Sequence, residues 1–187
     1  MATIRVALRV PSTEAEGPGR RYAVWVQGCT LACPGCCNPE MFAPRGGESH
    51  DVAALAAEIC ATPTIEGLSI LGGEPLQQAA AVAELASAVR ARGLSVMLYT
   101  GYTVEEVTTP EGRAALAACD LVVDGRYREG LPETGRRWIG SANQRVHFVT
   151  DRYRPADFAG PNTVEIRLRG GALSVNGWPA GAEKLRP

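Results

Sequence analysis

Apolar positions in this chain fall into short runs, some continuous and some at helical spacing, cut apart by glycine, proline and polar punctuation. Tyr22 to Gln27 (YAVWVQ) is rich in aromatic and β-branched residues, which predicts a strand that delivers the chain into a loop from Gly28 to Pro39. From Ser49, a suitable N-cap, Val52, Leu55, Ala56 and Ile59 recur at the spacing of one helix face, and Pro63 stops the pattern. Gly67 to Leu71 (GLSIL) is a nearly continuous apolar run that fits a buried parallel strand, and it runs straight into Gly72-Gly73-Glu74-Pro75. The next helix spans Gln77 to Arg92, with Val82, Leu85 and Val89 on one stripe and Gly93 as its C-terminal glycine. Leu94 to Tyr99 (LSVMLY) and Leu121 to Asp124 (LVVD) predict two more strands. Between them Thr103 and Glu106 make a capping-box pattern, and Thr109-Pro110 starts a helix through Cys119.

Repeated alternation of strand and helix builds right-handed crossovers, so the chain predicts an α/β fold with a mostly parallel sheet and helices outside it. Ligands of such sheets gather at the carboxyl ends of the strands. The loop from Gly28, the Gly72 to Pro75 segment, Thr100 to Tyr102 and Asp124 to Arg126 all follow predicted strands, which should bring four segments to one face. Arg126 to Arg137 is polar and punctuated by glycine and proline, as a mobile loop would be. After a strand at Gln144 to Thr150 (QRVHFVT), Val164 to Arg169 and Ala172 to Val175 flank Gly170-Gly171 as a β-hairpin.

With 187 residues, 45% of them hydrophobic and 21% charged, the chain has the length for a single domain with a real core. Residues 1–150 are expected to form that core and 151–187 a hairpin extension of it. A net charge of -1 offers no basic field for a phosphate backbone, so nucleic acid is not an expected partner. Met1 to Ser12 alternates apolar and charged residues without a signal-peptide core, and no later run reaches membrane-spanning length. A cytoplasmic protein with no membrane association is expected.

Four of the six cysteines lie between Cys29 and Cys37, a crowding that in a reducing compartment points to metal or redox chemistry rather than structural disulfides. Cys29, Cys33 and Cys36 have gaps of three and two residues, short enough for one loop to wrap a four-iron four-sulfur cluster and ligate three of its irons. The remaining iron can then take the amino and carboxylate groups of S-adenosylmethionine. An electron from the cluster would break the bond from sulfur to the ribosyl carbon, giving methionine and a 5′-deoxyadenosyl radical that abstracts a hydrogen atom. A zinc site or a Cys33/Cys36 dithiol pair is the alternative, although no second zinc-type cysteine pair is present and the dithiol would leave Cys29 idle. Gly72-Gly73-Glu74 alone reads as a tight strand-to-helix turn. Beside the cysteine loop it reads as a place where a ligand approaches the backbone closely and the Glu74 carboxylate accepts the ammonium of the methionine moiety.

Taken in order, the motifs resemble the activating proteins of anaerobic ribonucleotide reductase, small members of the radical S-adenosylmethionine superfamily. The resemblance runs through Glu16-Gly-Pro-Gly-Arg20, Val26-Gln-Gly-Cys29, Cys33-Pro-Gly-Cys36 with Asn38-Pro39, and Leu71-Gly-Gly-Glu-Pro-Leu76. It continues through Tyr99-Thr-Gly-Tyr102, Leu121-Val-Val-Asp-Gly-Arg126 and Trp138-Ile-Gly-Ser-Ala-Asn-Gln-Arg-Val-His147. It implies a partial (β/α) barrel and a radical oxidoreductase that cleaves S-adenosylmethionine with electrons from a flavodoxin- or ferredoxin-type reductant. The product would be a glycyl radical on a large partner enzyme; the alternative is hydrogen abstraction directly from a small molecule or peptide. By the resemblance Cys29, Cys33 and Cys36 are the cluster ligands, Gly72, Gly73 and Glu74 bind the methionine end, and Thr100 lies on the cofactor side. Asp124 and Arg126 are similar to the Asp-x-Lys pair with which related activases hold the cofactor carboxylate, with arginine as the cation here.

Cysteine at position 37 replaces the usual aromatic residue of the family. Adjacent cysteines send their side chains in different directions, so Cys37 is expected to pack beneath the loop and not to be a ligand. Cys60 and Cys119, on predicted helices, are expected to be small buried hydrophobes. His147 is a weak site candidate, His50 is expected to be solvated at a helix start, and Trp25, Trp138 and Trp178 are expected to anchor core or loops.

Overall fold

The computed structural model describes residues 2–170 and 172–177, and in it seven strands form one mixed sheet. These are β1 (Thr3–Thr13), β2 (Arg21–Val26), β3 (Glu48–Asp51), β4 (Gly67–Gly72), β5 (Ser95–Tyr99), β6 (Leu121–Asp124) and β7 (Arg145–Phe148), in the order β3-β1-β2-β4-β5-β6-β7. The inner strands β2, β4, β5 and β6 are parallel, as their continuous apolar runs predict. Pairings at both edges are antiparallel, so the sheet is mixed where a mostly parallel one was expected.

At one edge β7 runs antiparallel to β6, and at the other two elements account for the difference. The alternating N-terminal run forms the long β1, and Glu48–Asp51, which has no large apolar residue, forms β3 by pairing with Thr3 to Val6. The helix expected from Ser49 therefore starts later: α1 spans Val52–Ala61, and Asp51 is its N-cap, accepting from the Ala54 N–H at 2.8 Å. His50 belongs to strand β3, half-buried opposite Ile4 and 3.6 Å from Glu48, and is not a solvated helix-start residue. A 3-10 turn at Pro75–Gln78 precedes α2 (Ala79–Arg90), and α3 covers Pro110–Ala117 with the Thr109 hydroxyl accepting from Gly112.

All three helices pack on one face of the sheet, against Tyr22, Val24, Ile70, Leu98 and Val122 among others. The alternate side chains, including Ala23, Trp25, Leu71, Met97, Leu121 and Val123, bury the opposite face. Each aliphatic side chain so buried contributes roughly 1.5–3 kcal/mol, which is why the central strands show no polar alternation. Cys119 is fully buried in the helix-side core, where its thiol, bonded to the Ala115 carbonyl, is pushed up to about 12 by burial and then by Asp120; Cys60 packs against the same core. Strands β8 (Val164–Arg169) and β9 (Ala172–Gly177) pair as the expected hairpin, two residues longer than its pattern indicates; Trp178 lies outside the described residues. Among the described residues no helix is long and apolar enough to cross a membrane.

Candidate functional site

Because β2, β4, β5 and β6 run parallel, their carboxyl ends lie along one edge, and a cavity of about 530 Å3 opens there on the face away from the helices. Its wall includes Cys29, Cys33 and Cys36, then Gly72 to Glu74, then Thr100, Gly101 and Gly125, so the expected convergence is present. Cys37 lines the same cavity with the same partial exposure, so it is not set apart beneath the loop as expected.

The cysteine loop is closed by its own return. Gly28 N–H donates to the Met41 carbonyl at 2.9 Å, Cys29 N–H to Phe42 at 3.1 Å, and the Gln27 side-chain amide to Ala43 at 2.7 Å. Within it the Cys36 N–H donates to the Cys33 carbonyl at 3.1 Å, a turn that Gly35 completes with a φ of 72°. Two backbone N–H groups point at sulfur: Asn38 at Cys36 Sγ (3.5 Å) and Tyr127 at Cys33. Burial raises the Cys33 thiol, as do its neighbours Cys36 and Cys29, while the Tyr127 N–H and Arg126 oppose the rise. Three thiols close enough to repel, each half-buried and some supplied with N–H donors, form a donor set suited to an iron–sulfur cluster. Among the described residues no three His, Cys, Asp or Glu side chains converge on a single-ion site, and a cluster that spreads its thiolates over separate irons does not require that convergence.

The glycine pair is explained by the protein itself as much as by a ligand. A Cβ on Gly72 would lie 2.5 Å from the Val26 nitrogen, and one on Gly73 2.2 Å from the Gly28 carbonyl oxygen. The end of β4 is thereby drawn against the root of the cysteine loop, where Gly73 N–H donates to Val26 and Glu74 N–H to Gly28, both at 2.8 Å. Glu74 is buried. Its carboxylate accepts from the Leu76 N–H (2.9 Å), the Thr100 hydroxyl (2.8 Å) and the Gly101 N–H (2.8 Å). A carboxylate can accept about four hydrogen bonds, so roughly one position is left for a donor in the cavity. Burial raises the Glu74 carboxyl above its usual range despite those donors and Arg126. Thr100, itself part of the cavity wall, also holds the Glu74 carboxylate in place.

Asp124 and Arg126 do not pair with each other. Asp124 is fully buried and turned out of the cavity, accepting from Arg145 Nε at 2.9 Å and from the Val104 N–H at 2.9 Å, with His147 Nε2 3.1 Å away. Burial would raise its carboxyl, but these groups outweigh burial and hold it below the usual carboxylate range. The physical reason is the antiparallel strand β7, which places Arg145 directly opposite Asp124. Arg126 sits at the rim, bonded to Glu106 at 2.7 Å and lying 5.7 Å from the centre of the Tyr102 ring.

Several residues that position the site carry no obvious local signal. Gln77 accepts from the Thr30 N–H at 3.2 Å and donates to the Thr30 hydroxyl at 2.6 Å, tying the cysteine loop to the turn after β4. Gln144 accepts from Gly140 and Ser141 and donates to Gly125, which gives Trp138 to His147 a buttressing role behind β6. Glu16 lines the same cavity; burial pushes its carboxyl up to about 7, against the Gly177 N–H from which it accepts at 2.8 Å. Trp25 and Trp138 are buried anchors, and both also form part of the cavity wall.

Closely spaced cysteines line this strand-edge cavity, and residues 15–147 match the family model described as a 4Fe-4S single cluster domain, which defines an iron–sulfur protein. Among curated relatives, the anaerobic ribonucleoside-triphosphate reductase-activating protein of Enterobacteria phage T4 is 35% identical over 75% of this chain and 92% of its own length. Those of Vibrio cholerae and Escherichia coli K12 are 32% and 30% identical over 75% and 74% of this chain and 95% of their own lengths. The chain belongs to this family of reductase-activating proteins.

Proposed function

We propose that the protein is a radical S-adenosylmethionine activase that generates a glycyl radical on an anaerobic ribonucleotide reductase, working in the reducing cytoplasm. The observation that carries this reading is that Cys29, Cys33, Cys36 and Glu74 line one cavity at the carboxyl edge of the parallel strands. Cys29, Cys33 and Cys36 would hold the cluster, which when reduced by a flavodoxin- or ferredoxin-type donor supplies the electron that splits S-adenosylmethionine into methionine and a 5′-deoxyadenosyl radical. Glu74, held by Thr100, Gly101 and Leu76, takes the cofactor ammonium, while Gly72 and Gly73 carry the backbone past its methionine end. Arg126 offers positive charge at the rim for the cofactor carboxylate, and Asp124 acts at one remove by fixing Arg145 and Val104. This reading implies a partial (β/α) barrel, with helices outside and the cofactor on the inner face.

Anaerobic reconstitution of the wild type with serine variants at 29, 33, 36 and 37 tests the assignment. Iron, sulfide and 5′-deoxyadenosine are expected in the wild type and the position 37 variant, and deoxyadenosine is expected to vanish in the other three. Tightly bound zinc with no deoxyadenosine from the wild type would refute the reading, and deoxyadenosine without a radical on the reductase would redirect it to a small-molecule or peptide substrate.

A further inference from the structure

The family match ends at residue 147, yet the cavity does not end there: Val175, Asn176 and Gly177 of β9 form part of its wall. The hairpin is fixed in that place at its root. Gly177 donates to Glu16 at 2.8 Å, and a Cβ on Gly177 would lie 2.2 Å from the Thr163 carbonyl oxygen and 2.9 Å from Ala15 Cβ. Its two faces differ. Glu165, Arg167 and Asn176 lie half-buried or buried on one side, with Glu165 bonded to Arg167 at 2.6 Å. Ile166, paired in register with Val175, and Leu168 lie on the other side, and they are 57% and 72% exposed. Leu8, also 46% exposed, lines the cavity as well. An apolar strip thus leaves the cavity at Val175 and continues over its register partner Ile166 and over Leu168, while Leu8 adds an exposed apolar side chain to the cavity wall. Isolated exposed apolar residues need no explanation, but a strip continuous with a cavity that holds the chemistry marks a path for a partner.

We propose that the outer face of the β8–β9 hairpin docks the glycine-bearing segment of the reductase, with apolar side chains of that segment on Ile166 and Leu168 and its glycine led past Val175 toward the cysteines. This rests on the activase reading for the partner's identity. The strip's described side chains, Ile166, Leu168 and Val175, are apolar, which fits an apolar stretch of polypeptide, and its place outside the matched residues 15–147 makes it a selectivity element of this chain.

The test is direct binding of the purified anaerobic reductase from the same genome to the full-length, cluster-loaded protein, compared with I166D/L168D and the milder I166S/L168S. Placing charge where apolar anchors must be desolvated should weaken binding by roughly tenfold or more, with the serine pair intermediate. Both pairs should keep wild-type iron content and circular dichroism, since the side chains are exposed. V149D, an exposed apolar position near the amino ends of the parallel strands, should bind as the wild type does. Wild-type affinity in both hairpin pairs, or an equal loss in V149D, would overturn the proposal. Binding is read without catalysis, so absence of deoxyadenosine from the wild type would defeat the activase reading while the affinities still judge the hairpin.

Discussion

Glu74 shows how a single carboxylate can be both buried and available. Three donors hold it, and burial still lifts its carboxyl above the ordinary range, so near that raised value part of the population is protonated. An incoming ammonium favours the ionised form. Cofactor affinity should therefore be full above the raised pKa and fall as pH drops through it, a window higher than that of an ordinary glutamate. Glu74→Gln keeps the shape and removes the charge; it should retain iron, lose on the order of 1.5–3 kcal/mol of cofactor binding, and flatten the pH profile. Titration of the cofactor by electron paramagnetic resonance between pH 5 and 8 checks this, and an unchanged pH dependence in the variant would remove Glu74 from the binding role.

At the scale of elements, what the sequence discloses depends on whether the cause is local. Strands β2, β4, β5 and β6 are legible because burial on both faces makes them continuous apolar runs, and the cysteine and Gly72-Gly73-Glu74 loops are legible because their short spacings and their places after strands bring them to one cavity. Strand β3 (ESHD) is not legible, since only its pairing with β1, more than forty residues earlier in the chain, makes it a strand. The same holds for Asp124, whose partner Arg145 arrives on β7, and for Glu16, whose donor is Gly177. The contact between β4 and the cysteine loop gives the clearest test. Gly73→Ala must push the Gly28 carbonyl, which is backbone and cannot swing aside, so it should cost roughly 1–3 kcal/mol and reduce iron uptake. Gly130→Ala, with open space around it, should change neither. Thermal midpoints and iron content of the two variants settle whether the loop is held from below in this way.

For the molecule as a whole, the division of the sheet into two faces separates folding from chemistry. The main core, from Ile4 and Val52 to Val89 and Val122, lies between the sheet and the three helices, whereas Cys29, Cys33, Cys36 and Cys37 all lie at the cavity on the other side. Small metal-dependent domains unfold without their metal because the ligands stand in for a core. Here the core is complete without the four cysteines of the loop. Protein stripped of iron should therefore keep its far-ultraviolet circular dichroism and unfold cooperatively, because the parallel strands and helices are held chiefly by the helix-side core, which contains no residue of the loop. Cluster loading should still raise the thermal midpoint, since a group bound by the native state alone stabilises it by mass action. The difference should be local: limited proteolysis of stripped protein should cut within residues 28–47, where the chain is tied down mainly by the hydrogen bonds of Gly28, Cys29 and Gln27, and loading should protect those bonds. A stripped protein with no helical signal, or one cut first in the helices, would show that the cluster is part of the fold and that the two faces are not independent.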